Sequence, residues 1–342
     1  IERAGHMRPG KVSETVYKRS ILKGLHHRVT EIYQNPGVGI DACVHRALGG
    51  VCPVTSAITL SGIKKRIGVF ALYRAINCLA AVNAVGKSVW INFLFPDWFS
   101  ESDLKIAIKE LDDTTAELEV GIAGIYAESV TGILKPTITI SAYGEAKQEE
   151  WVTPKQIKSD MDIVMTNYTG TEGAIILAFE QEEKLLKRFT PSFVDQIQNL
   201  LEEISAIREA KIAGMCGVKA MHTIGEGGVF GALWEVAEAA ELGLEVEVRK
   251  IPIRQETIEI CEFFRINPYL IPSTGSLLML TENGHELVEE LKRKGCCATV
   301  IGRTTKGKER LLFHGEERRY LEPPKINELQ KGLTEELVGG EI

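Results

Sequence analysis

A glycine-rich segment in the second half of the chain carries the residue types best suited to binding chemistry. His222 and Thr223 precede a Gly-Glu-Gly-Gly turn, and the apolar spacing that follows predicts a helix. The free N–H groups of such a turn and the helix dipole would let Gly225, Gly227 and Gly228 bound a phosphate or carboxylate. Most turns of this kind only pack a helix closely on a sheet, and this one is neither a Walker loop nor a dinucleotide fingerprint.

Two other segments of the sequence also contain candidate binding residues. The turn 168–173 precedes an apolar helical segment, so Thr171 and Gly173 are compatible with anion binding or simply with tight packing. Asp41 lies in the middle of a predicted strand, 38–44, where a buried carboxylate is costly unless a cation is near. The alternative is a surface aspartate on an edge strand.

The elements that must position these residues alternate between helix and strand. Residues 13–33 and 191–214 are predicted to form long helices, and residues 67–85 have the length and apolarity of a buried helix. The polar or reactive side chains of that buried helix are Arg74, Asn77, Cys78 and Asn83. Because the ends of the pattern look antiparallel, we predict an α+β sandwich.

The length of 342 residues predicts two domains, divided in the polar stretch 144–158. We predict a non-native, flexible N-terminus over residues 1–11, an N-terminal domain with a mixed sheet over 12–150, a C-terminal α/β domain over 151–322 and a tail over 323–342.

Composition narrows the class of protein. The charged fraction is 25%, the hydrophobic fraction is 44% and the net charge is −7, which argues against a nucleic-acid binder. No apolar run is long enough for a membrane span, and no signal peptide is visible. The seven cysteines form no Cys-x-x-Cys pair, which indicates reduced thiols in a cytoplasmic protein.

Several segments resemble one superfamily in the same order. Residues 219–238 resemble its Met-Arg-Asp-Pro-Thr-Arg-Gly-Gly-Leu…Asn-Glu-Ile-Ala block, and the segments 251–254, 267–269, 273–277 and 298–302 also fit. On these motifs the chain resembles the aminoimidazole-ribonucleotide synthetase (PurM) superfamily over most of its length, and within it the HypE-like hydrogenase-maturation proteins.

The resemblance implies a two-domain protein that dimerises through its first domain and binds ATP and magnesium. Asp41 in Gly-Ile-Asp-Ala-Cys matches the superfamily's metal- and phosphate-binding aspartate. Asn77 matches the first residue of its Asn-Asp-Leu-Ala segment, and Glu128 keeps a carboxylate that we assign to metal binding. A maturation partner protein is also implied.

The chain departs from the superfamily pattern at positions that serve the same chemistry. Cys78 replaces the acid of Asn-Asp-Leu-Ala, and a thiol cannot replace a hard oxygen ligand for magnesium. Glu226 places negative charge where a phosphate would sit, and residues 54–59 lack an acid expected there. The given sequence also has no cysteine after Cys297, although HypE ends in one.

Three functional hypotheses follow. In the first, the protein is a divergent ATP-binding enzyme that activates an oxygen of a small or protein-borne acceptor with ATP and magnesium. Glu128, His222 and Glu226 would then be catalytic groups, with His222 titrating near neutrality, although a single histidine is more often a packed or exposed bystander. In the second, it is a catalytically reduced paralogue, a dimeric binding or assembly module. In the third, the cavity is re-purposed for a different small ligand, with Cys78 or Glu226 in a new role.

Overall fold

The computed structural model describes residues 11–27, 29–323 and 328–334 and contains two sheets. The first sheet consists of β1 (Cys43–Val44), β2 (Val51–Ser61), β3 (Val85–Phe95), β4 (Gly121–Ser129) and β5 (Thr137–Lys147). The second consists of β6 (Asp162–Thr166), β7 (Ala220–Thr223), β8 (Gly243–Glu247), β9 (Leu277–Thr281), β10 (Ala298–Thr305), β11 (Arg310–His314) and β12 (Glu317–Tyr320). The helices are α1 (Glu14–Val16), α2 (Ile67–Ala80), α3 (Glu101–Glu117), α4 (Thr171–Glu180), α5 (Glu182–Leu185), α6 (Pro191–Asn199), α7 (Ile207–Met215), α8 (Gly228–Ala240), α9 (Gln255–Phe263), α10 (Gly284–Arg293) and α11 (Glu328–Thr334).

Helix α2 lies at the centre of the molecule because it is covered on both sides. The first sheet has the order β1-β2-β5-β3-β4 and is antiparallel except for the pair β3–β4. On one face, α2 and α3 cover apolar residues such as Val54, Ile91 and Ile140. The other side of α2 meets α7 and β7. Every residue of α2 is therefore buried.

The second sheet is covered on both faces by helices. Its order is β12-β11-β8-β10-β6-β9-β7, and only β8 and β11 pair in parallel. Helix α8 packs with Ile163 and Leu278 on one face, whereas α7 and α10 pack with Val164 and Met279 on the other. The predicted α+β architecture is confirmed. The predicted domain division at residue 150 falls between the last strand of the first sheet and the first strand of the second, and it stays a prediction. We call the parts of the chain before and after this residue the first and the second domain.

The long helix predicted over residues 13–33 is wrong. Among the described residues of this segment, helical turns occur only between Glu14 and Gly24, and the apolar stripe that the helix would form remains exposed, for example at Ile21 with 40%. Without a surface to bury that stripe, an isolated helix gains little. Near the end of the predicted helix the chain instead turns and forms an isolated bridge between Ile32 and His45, and the N–H of Tyr33 donates to the carbonyl of Val44 at 2.8 Å.

The single helix predicted over residues 191–214 is also wrong, because it divides into α6 and α7. Between them, the side chain of Asn77 donates to the carbonyl of Ile204 at 2.8 Å and accepts from the N–H of Ala206 at 2.9 Å. These backbone groups bind the first domain instead of continuing a helix. The interdomain contact therefore sets the position of the break.

The predicted N-terminal segment 1–11 and tail 323–342 lie mostly outside the described residues. Among the residues that are described, no helix is both long and apolar enough to cross a membrane.

Candidate functional site

The candidate site is a cleft of about 510 Å³ between the two domains. The first domain contributes Asp41 and, from α2, Arg74 and Cys78. The lining residues of the second domain are His222, Thr223, Gly225, Glu226, Gly227, Trp234, Glu235 and Thr274. The N-terminal residues 11–21 border the opening, where the Trp234 indole N–H donates to Glu14 at 2.8 Å. A cavity of this size suits a small molecule.

His222, at the end of β7, is held between two carboxylates. Its Nδ1 lies 2.6 Å from Oδ2 of Asp41, and its Nε2 lies 3.1 Å from Oε2 of Glu235. Burial alone would lower the pKa of His222, but these two carboxylates outweigh burial and raise that pKa to about 10. The prediction that His222 titrates near neutrality is therefore wrong. The side chain is an imidazolium at pH 7 and cannot act as a general base there.

The carboxylate of Asp41 is already surrounded by donors. The hydroxyl of Thr223 donates to Oδ1 at 2.7 Å, and Cys78 Sγ lies 4.0 Å from the same oxygen. Burial, together with the charge of Asp41, raises the pKa of the Cys78 thiol, so the sulfur stays protonated. Asp41 is thus a charge partner of His222 with two neutral groups beside it.

These residues do not fit a magnesium ion held by the chain alone. A hydroxyl, a thiol and one carboxylate that is already paired with an imidazolium are a poor donor set for a hard cation. Within the described parts of the chain, no three His, Cys, Asp or Glu side chains are placed to hold a metal.

Arg74 joins the two domains across the floor of the cleft. Its Nε donates to Glu172 at 2.6 Å, and its Nη1 donates to Glu226 at 3.0 Å. Glu172 also accepts from the backbone N–H of Thr274 at 3.1 Å and from the Thr274 hydroxyl. The negative charge at Glu226 is therefore balanced by an arginine of the other domain.

The glycines of the turn have two different roles. Gly225 and Gly227 line the cleft just before α8 begins, and the first turn of a helix has backbone N–H groups without intrahelical partners, which suit an anion. Gly228 has φ +62°, and a Cβ there would lie 2.8 Å from the backbone of Leu270. Gly228 thus serves close packing of α8 against the segment that precedes β9, which is the alternative the sequence left open.

Glu128 does not meet Asp41 within one chain. It lies on the exposed edge strand β4, where the hydroxyl of Tyr126 donates to it at 2.6 Å. The cleft borders β2, three strands away in the sheet, which corresponds to roughly 14 Å at the usual strand spacing. That Asp41 and Glu128 share a metal stays a prediction. Within a single chain the two residues are not brought together.

Asn77, Thr171 and Gly173 also lie outside the lining of the cleft. The side chain of Asn77 is fully used in bonds to the second domain, including one to the carbonyl of Thr274 at 2.9 Å. The hydroxyl of Thr171 donates to the carbonyl of Tyr168 in its own turn. A Cβ on Gly173 would lie 2.8 Å from Ile271, so close packing explains this glycine.

The sequence alone did not identify the partners that complete the site. Arg74 was visible as a charge within an apolar helix, and such a charge must be paired when buried. Its partners lie 98 and 152 residues away along the chain, however. Glu235 and Lys11 pair with each other beside His222, and no sequence motif around either residue indicated this pair.

Comparisons with known proteins agree with this fold. The family described as AIR synthase related protein, C-terminal domain, matches residues 159–314. A hydrogenase expression/formation protein of Methanocaldococcus jannaschii is 25% identical over 313 residues, which cover 88% of this chain and 90% of the relative. The carbamoyl dehydratase HypE of Rhodobacter capsulatus is 23% identical, with 69% of each chain covered.

Solved structures show the same architecture. The hydrogenase maturation protein HypE in complex with ATP has a TM-score of 0.69 at 16% identity and covers 95% of this chain and 97% of its own. AaThiL complexed with AMPPCP and TMP has a TM-score of 0.71 at 17% identity, covering 92% and 98%. The predicted resemblance is confirmed: residues 159–314 match the family of AIR synthase related C-terminal domains, and the chain has the fold of the PurM superfamily.

Proposed function

We propose that the interdomain cleft binds a nucleotide, with ATP as the first candidate, and that the protein acts in a HypE-like maturation step. The observation that carries the proposal is the cleft itself, which joins a helix N-terminus to a buried arginine from the opposite domain. The similarity to a HypE structure that contains ATP and to a hydrogenase expression/formation protein supports this assignment.

The chain's own residues supply charge and orientation in this proposal. Arg74 and the N–H groups at the start of α8 face the ligand, and His222 with Lys11 offsets the carboxylates of Asp41 and Glu235. Magnesium, when it arrives bound to the nucleotide phosphates, would neutralise part of their charge. The acceptor oxygen that the nucleotide would activate belongs to a small or protein-borne substrate.

A second candidate function is a catalytically reduced binding or assembly module. The observation that favours it is the neutral pair Thr223 and Cys78 beside Asp41. The other carboxylates of the cleft, Glu226 and Glu235, already pair with Arg74 and His222, so they are poorly placed for the ion-dependent catalysis that needs several acids at one metal. A maturation partner protein would then be the main ligand, and a structure of a HypE–HypF complex with a TM-score of 0.68 supports that class of partner. The seven free cysteines are in keeping with a cytoplasmic location.

We further propose a homodimer that forms through the open face of the first sheet. The face opposite α2 and α3 carries Trp90 and Tyr126, each about half exposed at 50% and 51%. Trp90 pairs with Gly124 on β4 and Ser141 on β5, so its indole lies over a flat part of the sheet. Exposed aromatic side chains on an uncovered face are typical of an interface.

Calorimetric titration with ATP tests the nucleotide proposal. We expect micromolar binding with magnesium and weaker binding in EDTA, followed by measurable ADP release when carboxamide or carboxylate acceptors are added. Micromolar binding without ADP release would favour the assembly module. If no binding occurs up to millimolar ATP under either condition, the nucleotide proposal fails.

A further inference from the structure

Arg74 has more carboxylate neighbours than one guanidinium needs. It contacts Glu172 through Nε and Glu226 through Nη1, while Nη2 is buried without a hydrogen-bond partner among the described residues. The side chain is only 7% exposed, yet it lines the cleft. A guanidinium presents a planar fork suited to a bidentate oxyanion. Here that fork is divided between two separate carboxylates.

The two carboxylates differ in how firmly they are held. Glu172 is 1% exposed and accepts additional bonds from the backbone N–H and hydroxyl of Thr274. Removing Glu172 from this position would leave the Thr274 donors and Nε of Arg74 without the buried carboxylate that they share. Glu172 is therefore the permanent partner of Arg74.

Glu226 is held less firmly. Its side chain is 28% exposed and belongs to the turn that lines the cleft. The residues on either side of Glu226 in the turn, Gly225 and Gly227, have no side chains that would block a rotation of the Glu226 side chain. Rotation of Glu226 toward solvent would therefore expose a charged, pre-oriented guanidinium to a ligand without disturbing the buried pair.

We propose that Arg74 is the anion-binding residue of the cleft and that Glu226 is its exchangeable counter-ion. An incoming phosphate or carboxylate takes the position of the Glu226 carboxylate, so a neutral ligand gains nothing from this exchange. The identification of the anion as a nucleotide phosphate rests on the proposed function, whereas the exchange itself requires only an oxyanion.

The test uses conservative variants of the full chain and calorimetry at constant ionic strength. Glu226→Gln keeps the shape of the side chain but removes its charge, and we expect about tenfold tighter binding of ATP and of inorganic pyrophosphate. Arg74→Lys keeps the charge but removes the fork, and we expect about tenfold weaker binding. Glu245→Gln, which alters an ion pair with Arg303 on the surface, is the matched control and should change nothing.

The outcomes separate this inference from the proposed function. If the wild type binds ATP and Glu226→Gln gains no affinity, the exchange is overturned while nucleotide binding stands. If no protein binds ATP but Glu226→Gln gains affinity for pyrophosphate, the exchange stands and the nucleotide proposal fails. If Glu226→Gln changes the affinity for neither ATP nor pyrophosphate, the exchange is overturned, whether or not Arg74→Lys has a changed melting temperature.

Discussion

At the scale of single residues, the chemistry of this site depends on which charges are neighbours. A histidine beside a glycine turn suggests a group that titrates near neutrality. In the folded chain both of its ring nitrogens face carboxylates, and the pKa of His222 is raised from its ordinary 6.5 to about 10. His222 is thus a fixed cation that balances Asp41 and Glu235.

His222→Gln tests this charge through the pH dependence of stability. Between pH 6.5 and 10 the folded state holds a proton that the unfolded state has lost. The stabilisation is therefore complete below pH 6.5 and is lost as the pH rises through 10, at up to ~1.4 kcal/mol per pH unit. Urea unfolding from pH 6 to 10 should show this decline in the wild type.

We expect His222→Gln to be less stable at pH 6 and to lack this decline. The exposed His285→Gln is the control and should keep the wild-type slope. An unchanged slope in His222→Gln would show that another group binds the proton.

At the scale of elements, α8 and the turn before it decide how the cleft is built. The turn brings Gly225 and Gly227 to the cleft, and α8 then presents Trp234 and Glu235 to the same space. Close approach at Gly228 lets the helix lie directly against the backbone of Tyr269 and Leu270. One element thus carries both the ligand-facing groups and the packing contact.

Gly228→Ala should destabilise the protein by about 2–3 kcal/mol, because the new Cβ is strained at φ +62° and meets a backbone that cannot move aside. Gly225→Ala, at a position with open space around it, is the matched control and should change stability by less than about 0.5 kcal/mol. Thermal and urea unfolding measure both. Equal effects of the two substitutions would contradict the packing role.

At the scale of the whole molecule, contacts between the domains are specific and polar. Asn77 bonds three backbone groups of the second domain, and Arg74 pairs with Glu172 across the same boundary. On the far side, Glu180 accepts from the N–H groups of Lys64 and Lys65 at 2.7 and 2.6 Å. These contacts hold the two halves of the cleft in register.

The homodimer proposed through the open sheet face predicts an effect of Trp90→Arg. A charge placed at the centre of this face would have to be buried on association, which is costly. Sedimentation velocity should therefore show a wild-type dimer and a monomeric Trp90→Arg variant. Met215→Arg replaces an apolar residue of the other domain that is 71% exposed, compared with 50% for Trp90, and this variant should remain a dimer. A monomeric wild type would refute the proposal.

Local signals in the sequence were sufficient for many elements. The alternation of strands and helices, the buried helix α2 and the glycine turn before α8 all follow from periodicity and from the special backbone freedom of glycine. The two failed helix predictions, at residues 13–33 and 191–214, occur where neighbouring parts of the fold provide or withhold partners. A periodic stripe predicts a helix only when a surface exists to bury it. The strand predicted over residues 38–44 is also wrong for most of its length: only Cys43–Val44 forms a strand, because Gly39 adopts φ +69° in a turn and Asp41 lies between that turn and β1.

The glycine turn, the isolated acid Asp41 and the replacement of an expected acid by Cys78 could be recognised from residue types, since these depend on local chemistry. The pairing of Arg74 with Glu172 and Glu226, the charge of His222 and the separation of Glu128 from the cleft could not. The first two depend on the distance between charges in a region of low dielectric, and the third depends on the order of the strands in the first sheet. Those distances exist only after the two domains have packed together.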